Sequence, residues 1–330
     1  MMSYTYLNSC NLTGPLNKAP LIVVKAFGNN LHTKDGRKIL DACCGVGVSC
    51  IGYGNTEVIN GISNQAKLAT YATTSHFYNE VSSKLTRMFI KSTNYKMSRV
   101  YLAGSGSEGT KAALKAARQF FYEQDEKTPR VNFIARRGSY HGNTIGALSL
   151  SDHLIRRAPY IPLLMKNVHH ISSCNPYRQR LEGESDPAFV ARKVDELEKK
   201  FQELGPEILI AFIAEPVVGA ALGCVPYVSG YLEAMRDVCH SRGALFILDE
   251  VMCGIGRTGF MYAWQAEGVA PDIQITGKGL GGGYQPIAAT LVSEKIVKGI
   301  SEGSGEIPHG HTYESMPITS IAGSWSSKFL

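Results

Sequence analysis

From Ser98 onward the chain alternates short apolar runs with segments of helical periodicity, and this alternation constrains the fold more than any other feature. Residues 100–102 and 131–134 are apolar runs with the length of buried strands. Residues 187–204 and 230–242 carry apolar side chains at helical spacing, with charged residues on the opposite side. Strands that alternate with helices are typical of a mostly parallel sheet flanked by helices, so we predict an α/β fold.

The first part of the chain has a different pattern. Residues 21–25, 30–33 and 38–42 have the character of short extended segments separated by polar turns. The second turn contains Asp35-Gly36, and an Asp-Gly pair is a strong signal for a tight turn between antiparallel strands. We therefore predict a small antiparallel meander ahead of the α/β region.

The composition and charge of the chain indicate which classes of partner and location are expected. The chain has 44% hydrophobic and 19% charged residues, as an ordinary globular protein does. Its net charge of +6 is spread along the chain rather than gathered in a basic run, so nucleic acid is not the expected partner. Residues 1–20 show neither a secretory signal nor an apolar span, which favours a cytoplasmic protein with no membrane segment. The eight cysteines form no Cys-x-x-Cys pair and are expected to be reduced thiols.

A glycine- and serine-rich segment, Gly104-Ser105-Gly106-Ser107-Glu108-Gly109-Thr110-Lys111, follows one predicted strand and begins a helix. Free amides at a helix start, approached past small residues, form a phosphate site. The segment almost matches the nucleotide-triphosphate loop. However, Thr110 stands where that loop needs its lysine, and Lys111 is displaced by one residue, about 100° around the helix. The phosphate of another kind of ligand is the preferred interpretation, and a plain glycine turn is the alternative.

Residues 244–248 form an apolar run that ends in Asp249. An unpaired buried carboxylate is costly, so Asp249 needs a cationic or hydrogen-bonding partner. No second Asp or His lies nearby at metal-ligand spacing, and we expect no metal site. A protonated nitrogen of a ligand is one candidate partner. The alternative is a structural carboxylate that caps a neighbouring loop.

Two further glycine-rich segments follow. Gly254-Ile255-Gly256-Arg257-Thr258-Gly259 matches the dinucleotide fingerprint formally, but no amphipathic helix begins on its glycines, so we interpret it as a loop near the site. Lys278 lies between Gly277 and Gly279, just after the predicted strand 272–275. Its neighbours leave room for a ligand against the backbone, and a neutral amine there is a nucleophile towards aldehydes. A solvated loop lysine is the alternative for this segment taken alone.

Six motifs together carry a family resemblance: Ser105-Gly106-Ser107-Glu108, Tyr140-His141-Gly142, Glu215-Pro216-Val217, Asp249-Glu250-Val251, Gly256-Arg257-Thr258-Gly259 and Gly277-Lys278-Gly279. In order and approximate spacing they resemble the class III aminotransferases that depend on pyridoxal 5'-phosphate (PLP). The match runs from about Gly28 to Pro317. It is most similar to the branch that acts on ω-amino acids or amines with a 2-oxo acid acceptor. The resemblance implies fold type I, with a large PLP-binding domain and an α+β small domain.

The resemblance also implies the two catalytic residues. Lys278 would hold PLP as a Schiff base and then shuttle a proton during transfer of the amino group. Asp249 would keep the pyridine nitrogen of the cofactor protonated, so that the ring can accept electrons. The implied substrates are a small amine or amino acid and a 2-oxo acid.

Other site residues follow from the same resemblance. Ser105, Gly106 and Ser107 belong to the phosphate loop, in which the amides of Gly106 and Ser107 would bind the phosphate. Tyr140 would stack on one face of the ring, and Val251 would press on the other.

The remaining expectations concern the pocket and the partner subunit. His141 and Glu215 are expected in the pocket, without assigned roles. Thr312 matches the family's threonine that reaches the phosphate of the partner subunit's cofactor, which implies a homodimer with the site at the interface. Met252 departs from the pattern, because many members have a glutamine there near the ring hydroxyl of the cofactor.

The resemblance divides the chain into residues 1–65 of the small domain, residues 66–310 of the large domain and residues 311–330. After Thr312 the family continues into a carboxy-terminal small domain, which commonly supplies the arginine for the substrate carboxylate. We therefore expect the small domain to be incomplete, the apolar residues of the meander to be partly exposed, and this chain to show little or no transamination with at best weak PLP binding. Another PLP enzyme (an aminomutase, racemase or decarboxylase) and a non-catalytic fragment are the alternatives.

Overall fold

The computed structural model describes residues 20–327. Its strands form a three-stranded antiparallel sheet (β1 to β3), a seven-stranded sheet and a two-stranded ribbon (β8 and β9). The strands are β1 (Val23–Phe27), β2 (Asn30–Thr33), β3 (Lys38–Leu40), β4 (Arg99–Ala103), β5 (Asn132–Arg136), β6 (Val168–Ile171), β7 (Leu209–Ala214), β8 (Val217–Val218), β9 (Val225–Pro226), β10 (Leu245–Glu250), β11 (Ile273–Thr276) and β12 (Ala288–Val292).

The helices vary widely in length, and the first is a short kinked turn. They are α1 (Cys44–Gly47), α2 (Thr56–Leu68), α3 (Glu80–Ser92), α4 (Gly106–Gln124), α5 (Ile145–Leu150), α6 (Leu154–Arg157), α7 (Pro176–Gln179), α8 (Asp186–Leu204), α9 (Tyr231–Ser241), α10 (Glu294–Ser301) and α11 (Pro317–Ser326). The helices predicted at 187–204 and 230–242 are confirmed as α8 and α9, each within one residue at either end.

The seven-stranded sheet has the order β4-β12-β11-β10-β7-β5-β6. Every neighbouring pair from β11 to β6 is parallel, and β12 alone runs against the rest. The two central strands β7 and β10 are buried along their whole length, with Phe212 and Phe246 stacked at a ring-centroid distance of 6.3 Å. Strands covered on both faces are continuous apolar runs, which is why the sequence revealed β10, whereas β7 was not predicted. The prediction of a mostly parallel sheet is confirmed.

The sheet gathers the sequence motifs at one edge. Ser105 follows β4, Tyr140 follows β5, Glu215 follows β7, Asp249 lies near the end of β10, and Lys278 follows β11. These five strands point the same way, so their carboxyl ends lie along the same edge of the sheet. In open α/β sheets this edge is where ligands bind.

Helix α4 lies against the sheet through small residues. Ser105 is its N-cap, and the Ser105 hydroxyl accepts the amide of Glu108 at 3.3 Å. Ala113 and Ala117 on its inner face are fully buried. A Cβ atom at Gly109 would lie 3.0 Å from the Ile275 side chain of β11. The small side chains therefore let the start of α4 approach the carboxyl edge of the sheet closely.

The predicted meander is confirmed as β1, β2 and β3, which pair antiparallel in order. Much of its apolar surface is open to solvent, and the exposed fractions are 63% for Val24, 64% for Phe27 and 65% for Leu40. This confirms the expected exposure of the meander. The expected small domain (1–65) and terminal segment (311–330) extend beyond the described residues, and their limits stay a prediction.

Within residues 20–327, no helix combines the length and the apolar character that a membrane crossing requires. The same residues contain no group of three or more His, Cys, Asp or Glu side chains placed to hold a metal ion.

Candidate active site

A cavity of about 150 Å³ lies at the carboxyl edge of the sheet. It brings together residues from five separate parts of the sequence. Its lining consists of Gly106, Ser107, Tyr140, His141, Gly142, Glu215, Ala220, Asp249, Val251, Met252 and Lys278. Eight of these eleven lining residues are site residues predicted from the sequence.

Lys278 enters this cavity from a tight turn. It follows β11 and begins a short 3₁₀ turn, Lys278–Gly281, with a backbone φ of 45°. Such a positive φ is uncommon for a residue with a side chain, and strained backbone of this kind clusters at functional sites. Within residues 20–327, the amine of Lys278 makes no hydrogen bond or ion pair. The half-buried amine is therefore available to a ligand in the cavity.

Asp249 has the partners that its burial requires. Its Oδ2 lies 2.8 Å from Nδ1 of His141, and its Oδ1 accepts the amide of Val251 at 3.0 Å. Both side chains are almost completely buried, with 4% of Asp249 and none of His141 exposed. The Nε2 atom of His141 is also buried and has no partner among the described residues. The pair therefore gives the cavity a polar side, on which Nε2 of His141 is left without a hydrogen-bond partner among the described residues.

Glu215 adds a second buried carboxylate. Its Oε1 accepts the amide of Tyr140 at 2.9 Å, and its Oε2 accepts the amide of Gly219 at 3.2 Å. Burial raises the pKa of the Glu215 carboxyl, the neighbouring His141 opposes that shift, and Asp249 adds to it. Glu215 thus fixes the backbone of Tyr140 and places a second buried carboxyl group beside the same cavity.

The phosphate loop has open amides. The amide of Glu108 is capped by the Ser105 hydroxyl, and the amide of Gly109 bonds to the Ser105 carbonyl. Within the described chain, the amides of Gly106 and Ser107 have no acceptor. Both belong to the first turn of a helix of 19 residues, where the aligned peptide dipoles favour an anion.

Gly106 is in close contact with another part of the site. A Cβ atom at this position would lie 2.7 Å from the side chain of Val251, a distance that real Cβ atoms do not tolerate. The Ser107 hydroxyl accepts the amide of Asn143 at 2.8 Å, which ties the loop to the segment after β5. Close packing of this kind holds the start of α4 beside Asp249 and Tyr140.

Tyr140 has a contact that the sequence did not indicate. Arg156 donates to the Tyr140 hydroxyl at 3.0 Å, and its guanidinium carbon lies 4.7 Å from the centre of the ring. His153 meets the same ring edge to face at 6.0 Å. Arg156 belongs to the short helix α6, so contacts from outside the cavity hold the position of Tyr140.

Two predicted site residues lie outside the cavity. The Ser105 side chain is exposed and caps α4, so the structure gives it a structural role at the helix start. Thr312 lines a different cavity of about 550 Å³ together with Glu108, His311 and Tyr313. The expectation that Thr312 serves a second subunit stays a prediction.

Some contributions could not be found in the sequence. Ala220 lines the cavity, but a small residue outside the motifs carries no chemical signature. The pairing of His141 with Asp249 joins residues 108 positions apart, and no local pattern predicts such a contact. The sequence indicated only that each residue belongs to one of the six motifs.

A larger cavity lies elsewhere on the molecule. It measures about 780 Å³ and runs along the outer face of α4 beside residues 304–308. Its lining is mostly apolar, with Lys111, Lys115 and Arg118 among its residues, and it contains neither Lys278 nor Asp249. The smaller cavity is therefore the one that combines an open amine, buried acids and free amides.

The sequence profile described as aminotransferase class-III matches residues 14–326. The chain belongs to the class-III aminotransferase family. The resemblance inferred from the six motifs is thereby confirmed.

Several relatives bear the family's name. An aminotransferase of Gibberella zeae is 43% identical over 92% of this chain, and an uncharacterized aminotransferase of Schizosaccharomyces pombe is 42% identical over 93%. The taurine–pyruvate aminotransferase of Bilophila wadsworthia is 34% identical over 87% of the chain. The aligned part is 60%, 66% and 61% of the length of these three relatives.

Solved structures of class-III relatives share the fold. The ω-transaminase of Pseudomonas jessenii in complex with PMP superimposes with a TM-score of 0.90 at 31% identity. An amine transaminase of an uncultivated Pseudomonas species, in its PLP-bound internal aldimine form, gives 0.90 at 30% identity. Each match covers 97% of this chain and 72% of the other. The predicted fold type I is confirmed by this similarity.

Proposed function

We propose that the protein is a PLP-dependent aminotransferase that moves an amino group from an amine or ω-amino acid to a 2-oxo acid. One observation carries the proposal: a single cavity holds the open amine of Lys278, the buried pair of His141 and Asp249, and the free amides at the start of α4. The names of the relatives support the substrate classes, because they include ω-transaminases and a taurine–pyruvate aminotransferase.

The residues of the cavity fit pyridoxal phosphate. The amides of Gly106 and Ser107 would bind its phosphate. The carboxylate of Asp249 would bind a protonated ring nitrogen, which offsets the cost of burying that carboxylate. The amine of Lys278 would bond covalently to the aldehyde.

In the proposed amino transfer, the cofactor and the side chains of the protein have different roles. When bound, the cofactor supplies a ring that withdraws electrons from the substrate carbon. Asp249 would hold a proton on the ring nitrogen through its carboxylate, and His141 would keep that carboxylate oriented through Nδ1. Lys278 Nζ would take the proton from the substrate carbon and later release it, acting as general base and general acid. Tyr140 and Val251 would pack on the ring, and Glu215 would fix Tyr140.

We propose a cytoplasmic homodimer in which Thr312 of each subunit serves the partner's site, since Thr312 lies outside the cavity that contains Lys278. We also propose that residues 66–310 form the large domain, that residues 1–65 are the amino-terminal part of the small domain, and that residues 311–330 begin a carboxy-terminal segment. Neither nucleic acid nor a membrane is part of the proposed function.

An absorbance titration of the purified chain with PLP tests the proposal. We expect an absorbance band of bound cofactor that an added amine bleaches and an added 2-oxo acid restores. Consumption of the amino compound without consumption of the 2-oxo acid would instead indicate an aminomutase, a racemase or a decarboxylase. Failure to bind PLP would contradict the proposal and favour a non-catalytic fragment.

Lys278→Ala tests the covalent anchor. We expect the variant to keep some noncovalent cofactor, because the free amides and Asp249 are unchanged, but borohydride should leave no label on the protein. Mass spectrometry of peptides after reduction measures this. The control is Lys298→Ala, which removes an exposed lysine that is 3.7 Å from Glu302 on α10. A labelled peptide in Lys278→Ala would assign the anchor to another lysine.

A further inference from the structure

Glu250 is a buried acid that the proposed chemistry does not use. It is the last residue of β10, immediately after Asp249, and is 0% exposed. Successive side chains on a strand point to opposite faces of the sheet. Asp249 lines the cofactor cavity, so Glu250 points away from it. A fully buried carboxyl group must have a structural or functional reason to be retained.

The partners of Glu250 show that reason. Its Oε2 accepts the amide of Ala263 at 2.7 Å, and its Oε1 accepts the amide of Trp264 at 3.0 Å. Its backbone carbonyl accepts the amide of Gly254 at 2.9 Å, and a Cβ atom at Gly254 would lie 2.8 Å from that oxygen. The chain thus leaves β10 at Glu250 and comes back to the Glu250 side chain. We call residues 251–262 the return loop.

The return loop forms part of the cofactor cavity. Val251 and Met252 at its start both line the cavity. Met252 is tightly packed, because a Cβ atom at Gly219 would fall 2.0 Å from its sulfur. Further along, Arg257 donates to the carbonyl of Gly47 at 2.8 Å. Whatever fixes the two ends of the return loop therefore fixes one wall of the cavity.

We propose that Glu250 is a positioning residue whose ionised carboxylate ties Ala263 and Trp264 to β10 and so holds Val251 and Met252 against the cofactor. The inference rests on the proposed function for its effect on the cofactor, whereas the tie itself is a property of the chain alone. An ionised carboxylate accepts hydrogen bonds at both oxygens, whereas a protonated one turns one of these oxygens into a donor that faces a backbone amide, which is itself a donor.

The tie is expected to respond to pH because, among residues 20–327, no cation offsets the cost of burying the charge of Glu250. The titratable groups around it are Asp249, Cys253, Tyr227 and Tyr262, which are acids or neutral groups. Burial raises the pKa of Glu250 to about 7, and the amides of Ala263 and Trp264 only partly oppose the shift. In the unfolded chain the same carboxyl titrates near its ordinary value of 4.5.

Protonation of Glu250 has opposite effects on the stability of the fold and on the loop tie. Between pH 4.5 and 7 the folded chain holds this proton and the unfolded chain does not, so Glu250 contributes more to stability as the pH falls. The loop tie changes in the opposite direction, since protonation converts one of the two accepting carboxylate oxygens into a hydroxyl donor. Lowering the pH from 8 to 6 should therefore weaken cofactor binding while the contribution of Glu250 to stability rises.

Glu250→Gln tests the tie. Glutamine keeps the size of the side chain but presents an amide group to one of the two backbone donors, so one hydrogen bond is lost. We expect amide hydrogen exchange at residues 263 and 264 in the cofactor-free chain to become about tenfold faster. Glu267→Gln is the matched control, because Glu267 accepts the amide of Gly230 at 2.8 Å outside the return loop. Unchanged protection in Glu250→Gln would overturn the inference.

Cofactor affinity gives the second readout. We expect PLP to bind Glu250→Gln about tenfold more weakly at pH 8, and we expect the loss of affinity between pH 8 and pH 6 to be smaller than in the wild type. If the variant does not fold, exchange protection of residues 263 and 264 in the wild type at pH 8 and pH 6 decides the matter. Protection independent of pH, after correction for intrinsic exchange, would contradict the inference. Failure of the wild type to bind PLP would instead refute the proposed function.

Discussion

Asp249 is oriented more strictly than a single contact would allow. His141 engages one carboxylate oxygen and the amide of Val251 engages the other. A group preorganised in a dry cavity stabilises charge at no further reorganisation cost, and electrostatic stabilisation of this kind is commonly the largest catalytic term. At the scale of the residue, the proposed site therefore depends on how His141 and the amide of Val251 together orient the Asp249 carboxylate.

Asp249→Asn should keep the fold but lower the rate of amino transfer by orders of magnitude. The neutral amide cannot hold a proton on the ring nitrogen, and removing a positioned electrostatic group costs about 3 kcal/mol or more. Single-turnover rates with an amine measure the change, with cofactor content determined alongside. Asp237→Asn, on the exposed face of α9, is the control. Rates at the wild-type level in Asp249→Asn would refute the pairing with the ring.

The sequence predicted residues whose function leaves a local trace. Lys278 stands between glycines after a strand, and Asp249 ends an apolar run, so each stood out as a candidate from its immediate neighbours, and the family resemblance then implied its role. Arg156 carries no such trace, because its contact with Tyr140 depends on how α6 packs after folding. The hydrogen bond that the Ala263 amide donates to Glu250 could not be predicted for the same reason, since no sequence pattern links a carboxylate to a backbone amide in a later segment.

At the scale of the element, the start of α4 joins two parts of the site. Its open amides face the proposed phosphate position, and its second contact is the packing of Gly106 against Val251 at the end of β10. The sequence predicted the helix start from its glycines and serines. It could not predict that a glycine is required by a side chain 145 residues further along the chain.

Gly106→Ala should weaken PLP binding without unfolding the chain. The added methyl group meets Val251 at 2.7 Å and must push the start of α4 away from β10. Overpacking of this kind typically costs about 1–3 kcal/mol. The double variant Gly106→Ala/Val251→Ala removes the collision, and Val251→Ala alone is its control. Equilibrium dialysis of PLP measures the affinity. If the double variant binds no better than Gly106→Ala, the contact is not the cause.

At the scale of the whole molecule, burial is uneven. The seven-stranded sheet is covered on both faces, whereas Val24 and Leu40 on the two edge strands of the meander are mostly exposed. Apolar edge strands are templates for unwanted pairing between chains. The meander is therefore expected to be prone to self-association.

Val24→Lys/Leu40→Lys should reduce aggregation and leave thermal stability unchanged within about 0.5 kcal/mol, because both side chains already lie in solvent. Light scattering during heating and binding of a hydrophobic dye measure the effect. Val58→Lys is the contrasting variant, since Val58 is 0% exposed and burying its charge should unfold the chain. Equal aggregation in the double variant and the wild type would assign self-association to another surface.

The parallel sheet affects when the cofactor cavity forms during folding. The contact between His141 and Asp249 closes 108 residues of chain, and parallel strands are joined by long crossover connections rather than by tight turns. Contacts of such sequence separation form slowly, because the chain loses loop entropy before it gains any packing. The cofactor cavity should accordingly be one of the last features to appear during folding. Capture of PLP, followed by stopped-flow absorbance, would then report the arrival of the native state rather than any earlier compact species.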